Sequence, residues 1–295
     1  MGLDPQFIIE QLLNSLQFAM LLFLLAIGLS VIFGLMDYLN LAHGTIYMLA
    51  AYLAYSIAQL SGSFWVAFFL APIAATAIGM VLYLVLLKRA EMETHLVQVL
   101  LTVGVIYAGT DILRHIYGDL PKGVTQPALF TAPVQIFGIT YPSYRLFIIG
   151  LGFVVQIGLY FALERTRLGA LVRAGVDDRQ TVETLGVNIG AVFMLVFAIG
   201  TYLAGVAGVV AAPIFGVYPG MDATIIILVL IVVVVGGLGS LKGAILGSLL
   251  IGFADTFGKI LLPQFAMVMI YLVMAIVLIF RPTGLLPARR FTGGG

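Results

Sequence analysis

Asp37, Asn40 and His43 lie in the stretch LMDYLNLAHGTIYML, residues 35–49, between two apolar runs. AMLLFLLAIGLSVIFG precedes it and AAYLAY follows, and Gly34 and Gly44 bracket the polar residues. An acid, an amide and an imidazole in such a setting could carry a proton, bind a polar solute, or hold an irregular turn. Ionisable groups at membrane depth are costly and mark functional sites by default. Other candidates are fewer. Asp111, Arg114 and His115 share a helix face at i, i+3, i+4 spacing, and Asp255 and Lys259 form an i, i+4 pair. For both groups the plainer expectation is a local ion pair. Lys242 can reach a headgroup layer by snorkelling.

Motifs for catalysis are missing. The sequence has no HExxH, no GxSxG and no carboxylate pair at metal-ligand spacing. GGLGSLKG, residues 236–243, does not end in GKS or GKT and is no phosphate-binding loop. With no cysteine, disulfides and thiolate chemistry are excluded. The chain is therefore not expected to be an enzyme, to bind a metal or to hydrolyse ATP itself.

Composition says what surrounds these residues. Of 295 residues, 62% are hydrophobic and 9% charged, and the mean hydropathy is +1.17. Soluble domains carry about a quarter charged residues. A chain this apolar takes lipid as its solvent, and its continuous apolar runs lack the in/out alternation of barrel strands, so the spans are helices. The expected fold is an all-α polytopic membrane protein, forming a single transmembrane domain over residues 1–295. The net charge of +1 gives no reason to expect nucleic acid. MGLDPQFIIEQLL has no basic n-region, no small-residue cleavage site and no myristoylation pattern, so neither a removed signal nor a lipid anchor is expected there.

A span needs about 20 apolar residues. Candidates lie at 8–34, 41–60, 64–87, 96–117, 144–163, 189–214, 223–236, 243–261 and 264–280, giving eight to nine full or half-membrane helices. Basic loops face the cytoplasm. KRAEMETH at 88–95, the arginines of 164–179, and Arg281, Arg289 and Arg290 form three such clusters. They place the N-terminus outside, the C-terminus in the cytoplasm and loop 118–143 outside. An even number of crossings is required after 179, which favours a true break at GGLGSLKG. Lys122 and Arg145 lie on the disfavoured side.

Residues 164–188 carry eight of the 27 charged residues. Asp177 suits an N-cap with Gln180 three positions on, and Gly186 suits the C′ position. A helix of about two turns between them would carry Val182 and Leu185 on one side. So short a helix is unstable alone. It packs either on its own spans or on a cytoplasmic partner.

Broken helices at corresponding places in two halves point to a transport site. FGLMDYLNLAHGTIYMLAAYLA and VGGLGSLKGAILGSLLIGFA both hold a Gly, a short irregular piece, a second Gly and a small-residue helix. Close helix packing alone would also use such glycines.

These blocks, in this order, resemble the shorter permease type of the high-affinity branched-chain amino acid uptake family, ABC importers of the inner membrane. NLAHGTIYMLAAYLA is similar to the family's Asn-Phe-Ala-His-Gly segment, with Leu41 in place of Phe. LLTVGVIYAGTDILRHIYG resembles its fourth span, and the stretch from TRLGALVRAGVDDRQTVETLGVNIG to YLAGVAGVV its long cytoplasmic loop and next span. VVVVGGLGSLKGAILGSLLIGF and FRPTGLL resemble its last blocks, with Lys242 where Pro is frequent. The resemblance implies a sister permease, identical or different, two cytoplasmic ATPases holding ATP and Mg, and an external solute-binding protein. It implies a coupling helix near Asp178–Leu185, with Arg173, Asp177, Asp178, Val182, Leu185 and Gly186 as the ATPase-coupling set. Asn40, His43, Gly44, Gly236, Gly237 and Gly239 would line or shape the solute path. The substrate expected is a branched-chain amino acid or a similar small solute such as an amide or urea. Two rivals remain at this level. An ion-coupled carrier or channel would act alone, with Asp37 and Asp111 as ion sites. An intramembrane enzyme would use His43 as base, but no motif supplies a nucleophile.

Overall fold

A computed structural model describes residues 4–36, 38–91, 93–177 and 179–286. Asp37, Asp178, Arg289 and Arg290 lie outside the described residues. Eleven α-helices follow one another: α1 (Pro5–Met36), α2 (His43–Ser61), α3 (Phe64–Val85), α4 (His95–Tyr117), α5 (Ser143–Arg165), α6 (Arg167–Asp177), α7 (Arg179–Thr184), α8 (Ile189–Phe215), α9 (Met221–Gly236), α10 (Leu241–Leu261) and α11 (Ala266–Phe280). Six of them, α1, α3, α4, α5, α8 and α10, are long and apolar enough to cross a membrane. α9 and the Val268–Phe280 part of α11 are shorter apolar helices. Each of the nine expected spans coincides with one helix, and the break at 237–240 between α9 and α10 is real. The protein is a polytopic membrane protein.

Helix α1 is the axis of the bundle. Ala19 to Ile27 are all buried, and α1 packs on α10, α8, α5 and α9. α2 is enclosed by α8, α3, α9 and α4. α4 and α5 lie outermost and are mostly exposed, so their remaining surface belongs to lipid or to another chain.

Two ends of the bundle can be told apart. At one end, here termed the basic end, lie Lys88 and Arg89 in a 3₁₀ turn after α3, the α6–α7 segment, the α9–α10 break and the chain after α11. At the other, the hairpin end, residues 118–142 hold a small antiparallel hairpin, β1 (Val134–Ile136) with β2 (Ile139–Tyr141). Phe137 and Gly138, both at positive φ, make its tight turn. Only an irregular excursion is expected of 118–143 from its Pro, Gly and Thr, and the strands are too short for sequence periodicity to mark them. At the same end Arg114 pairs with Asp111 at 3.2 Å and with Asp119 at 2.8 Å, all well exposed. The trio at 111–115 thus contains the expected local ion pair.

Glycine lets the inner helices touch backbone to backbone. A Cβ on Gly28 would meet the Gly200 carbonyl oxygen at 2.6 Å, and one on Gly208 would meet the Tyr47 carbonyl oxygen at 2.1 Å. Because backbone cannot rotate away as a side chain can, Gly208→Val must force α2 and α8 apart, a cost of about 1–3 kcal/mol or more. Gly150, with nothing near its missing Cβ, is the control. Thermal unfolding in detergent should show a lowered midpoint for Gly208→Val and none for Gly150→Ala.

Candidate functional site

The ring of His43 fixes how deep the break after α1 reaches. Its Nε2 lies 3.2 Å from the carbonyl oxygen of Leu25, eleven residues before the end of α1. At 1.5 Å per residue, α2 therefore starts about 16 Å inside the bundle from the basic end. Residues 38–42 lead into α2, and Asn40–Ala42 form the turn that opens it, with the His43 N–H bonded to the Asn40 carbonyl at 3.3 Å. Their backbone is held inside the fold: Leu39 N–H donates to Gln98 Oε1 at 3.2 Å, and Gln98 Nε2 donates in turn to the Ala90 and Glu93 carbonyls at 3.3 Å. Tyr38 is buried beside Ile32, Leu87, Ala90 and the stacked rings of Tyr83 and Phe197. Tyr83 also donates to Glu91.

A second break enters from the opposite end. After α8 the chain turns at Gly216, at φ 72, and Val217 pairs with Lys122 through two backbone hydrogen bonds of 2.8 and 2.9 Å. Gly220, at φ 89, then precedes Met221, and α9 runs back toward the basic end. Its second residue, Asp222, is fully buried and reaches α2: Thr45 Oγ1 donates to Asp222 Oδ2 at 3.2 Å. Thr110 on α4 faces the same carboxylate. A Cβ on Gly44 would lie 3.0 Å from the Asp222 carbonyl oxygen, so glycine there permits the approach.

The N-termini of α2 and α9 thus meet deep in the bundle and point their helices in opposite directions. Both present the positive end of the helix dipole to the same small volume. Asn40 Oδ1, His43 Nδ1 and Asp222 Oδ1 are buried there with no hydrogen-bond partner among the described residues. Such orphaned acceptors at membrane depth suit a ligand or an ordered water. The described residues hold no cluster of acids and imidazoles able to bind a metal.

The glycines of the second sequence motif lie elsewhere, at the basic end. A Cβ on Gly236 would strike the Gly243 carbonyl oxygen at 2.1 Å. Gly237 touches Gly284, and Gly239 touches Gly34. The two sequence breaks therefore meet through Gly34 and Gly239, while Asn40, His43 and Gly44 sit about 16 Å deeper. The segment that meets them at that depth is 216–222, which sequence reading passed over. The signal was present as Tyr-Pro-Gly followed by Asp in a helix's first turn.

The loop at the basic end holds two helices. α7 ends as expected, with Gly186 at φ 83 and its N–H bonded to the Glu183 carbonyl at 3.0 Å. Asp177 is the last residue of α6, an 11-residue helix that the capping signals do not mark. Arg173 on α6 donates to the Leu163 carbonyl and lies 3.8 Å from Glu164, fastening α6 to the last turn of α5. Val182 is buried against Ile189, Val192, Phe193 and Val196. Leu185 is 76% exposed, so the two do not share one side.

The sequence pattern of the family described as "Branched-chain amino acid transport system / permease component" matches residues 11–278. The chain belongs to this family. It is a permease component of a branched-chain amino acid transport system and not itself an ATPase. Its similarity to the high-affinity branched-chain amino acid transport system permease protein BraD of Pseudomonas aeruginosa is 29% identity, covering 94% of this chain and 95% of BraD. The permease LivH of Escherichia coli is 27% identical over 95% of this chain and 96% of its own length. The permease LivM of Escherichia coli is 28% identical over 92% of this chain and 69% of LivM.

Replacing the Thr45 hydroxyl removes one donor from a buried carboxylate, a loss of about 1–3 kcal/mol. Thr45→Val should lower the unfolding midpoint in detergent, and Thr45→Ser should restore it. Equal midpoints for all three proteins would remove the α2–α9 contact from the account.

Proposed function

We propose that this permease is the membrane-spanning subunit of an ABC importer for branched-chain amino acids or similar small solutes, in the inner membrane. The basic end faces the cytoplasm, in keeping with Lys88, Arg89 and the arginines of α5–α6. The N-terminus and loop 118–143 then lie outside and the C-terminus inside, with nine crossings, two of them begun by the re-entrant segments 38–42 and 216–220. One transmembrane domain is made by the whole chain. A sister permease, two cytoplasmic ATPases carrying ATP and Mg, and an external binding protein complete the transporter.

The observation that carries the coupling part is the division of labour on α7. Val182 is spent on the permease's own α8, and Leu185, one residue past the end of α7, is exposed. Residues 164–188, from Arg173 to Gly186, form the coupling loop on this reading. ATP-driven closure of the ATPases moves α6–α7, and α6 contacts α1 and α8, the walls of the deep junction. Two packings of these helices expose the junction to one side and then the other. Asn40, His43 and Gly44 lie beside the path. Gly236, Gly237 and Gly239 shape it as close-packing joints at its cytoplasmic end.

A second reading, an ion-coupled carrier, draws on the buried Asp222 as a cation site. Of the two ion sites that the sequence suggests for it, Asp111 is exposed and paired with Arg114, and Asp37 lies outside the described residues.

Leu185→Asp separates these readings. It should leave the chain folded and reduce ATP-dependent uptake in proteoliposomes about tenfold or more, because a charge replaces a desolvated interface anchor. Val182→Asp should instead reduce the yield of folded chain. Uptake by Leu185→Asp at the unmodified rate would overturn the docking assignment.

A further inference from the structure

Between α1, α5, α8 and α10, toward the hairpin end, lies a cleft of ≈ 260 Å³. It is separate from the α2–α9 junction. Phe18, Ile214, Phe215 and Ile260 form one part of its lining. Three ionisable side chains, Arg145, Asp255 and Lys259, form another, in a chain with 9% charged residues. Gln17 also lines it, 5% exposed, and its Nε2 donor has no partner among the described residues. Arg145 Nη1 donates to Asn14 Oδ1 at 2.5 Å, which holds the guanidinium at the cleft. Lys259 Nζ is 2.6 Å from Asp255 Oδ2 and lies 5.7 Å from the centre of the Phe18 ring. Asp255 is nearly buried, while Lys259 is 63% exposed.

We propose that this cleft is an outer binding site for a zwitterionic aliphatic α-amino acid, with the Asp255–Lys259 pair as its clasp. This rests on the importer reading given above. The ligand's ammonium takes the place of Lys259 at Asp255. Its carboxylate receives Lys259, Arg145 and the free Gln17 amide. Its side chain lies on Ile214, Phe215 and Ile260. Every charge that the opening of the clasp exposes is paired again by the ligand. A neutral amide or urea offers neither half of the pair a replacement charge and leaves the clasp closed, and an amine that displaces Lys259 adds a cation beside Lys259 and Arg145 without the carboxylate that would pair them. The cleft thus selects an amino acid over the neutral solutes that the sequence leaves open. Its size is just below the usual range for small-molecule sites, about 300–1,000 Å³, as a ligand of a few heavy atoms requires.

The absence of cysteine makes the test direct. Thr256→Cys places the chain's single thiol on the cleft lining. Full-length protein in cell membranes is treated with a membrane-impermeant methanethiosulfonate. L-leucine at ten times its dissociation constant should slow labelling about tenfold. 4-Methylpentanoate, 3-methylbutylamine and urea, at equal concentration, should not. Asp255→Asn should abolish protection. Lys259→Gln, altering a mostly exposed side chain, should let 3-methylbutylamine protect as well as leucine. No labelling, protection by urea, or protection that survives Asp255→Asn overturns the proposal. ATP-dependent leucine uptake is measured on the same membranes. Protection without uptake keeps the cleft and removes the importer reading; uptake without protection removes the cleft alone.

Discussion

Backbone groups inside a membrane have no water to bond, and this constraint governs how the chain can break its helices at depth. Residues 38–42 and 216–220 leave regular helix within the bundle, so each must be sheathed by protein. Gln98 serves the first by bonding Leu39 while anchoring itself to two carbonyls of the neighbouring turn. The Lys122–Val217 bridge serves the second by borrowing backbone from the 118–142 loop. The long loop at the hairpin end is therefore part of the permease core, since without it the chain after α8 would lose its partner.

Close packing follows from the same need. Two non-helical segments and two helix starts fit among the inner helices because Gly28, Gly44, Gly200 and Gly208 let backbones touch. The junction they surround combines converging helix N-termini with the acceptors of Asn40, His43 and Asp222. At the basic end, Gly34, Gly236, Gly237 and Gly239 repeat the device among α1, α9, α10 and the chain after α11. There the tail is tied in by Leu285 and Leu286, whose N–H groups bond the carbonyls of Val235 and Gly236.

Much of this was legible in the residues. Apolar length located all nine spans, and charge located the ends, because both act through bulk solvation and need no partner. The α7 C-cap was legible because Gly186 acts locally. Depth was not legible: nothing near His43 or Thr45 states that their partners are Leu25 and Asp222, which lie 18 residues before the one and 177 residues after the other. The pairing of the two Gly motifs was half right for the same reason. Gly34 does meet Gly239, but the deep counterpart of His43 comes from a segment with a single acid and an ordinary Pro-Gly turn. α6 escaped notice because its helix is fastened by a tertiary contact, Arg173 on the end of α5.

The central claim is that this chain supplies a path and other chains supply the energy. Leucine uptake into proteoliposomes measures it most directly, comparing the chain alone, the chain under a proton or sodium gradient, and the chain assembled with its ATPases and ATP. The account predicts accumulation only in the assembled, ATP-supplied vesicles. Accumulation by the chain alone, driven by an ion gradient, would contradict it.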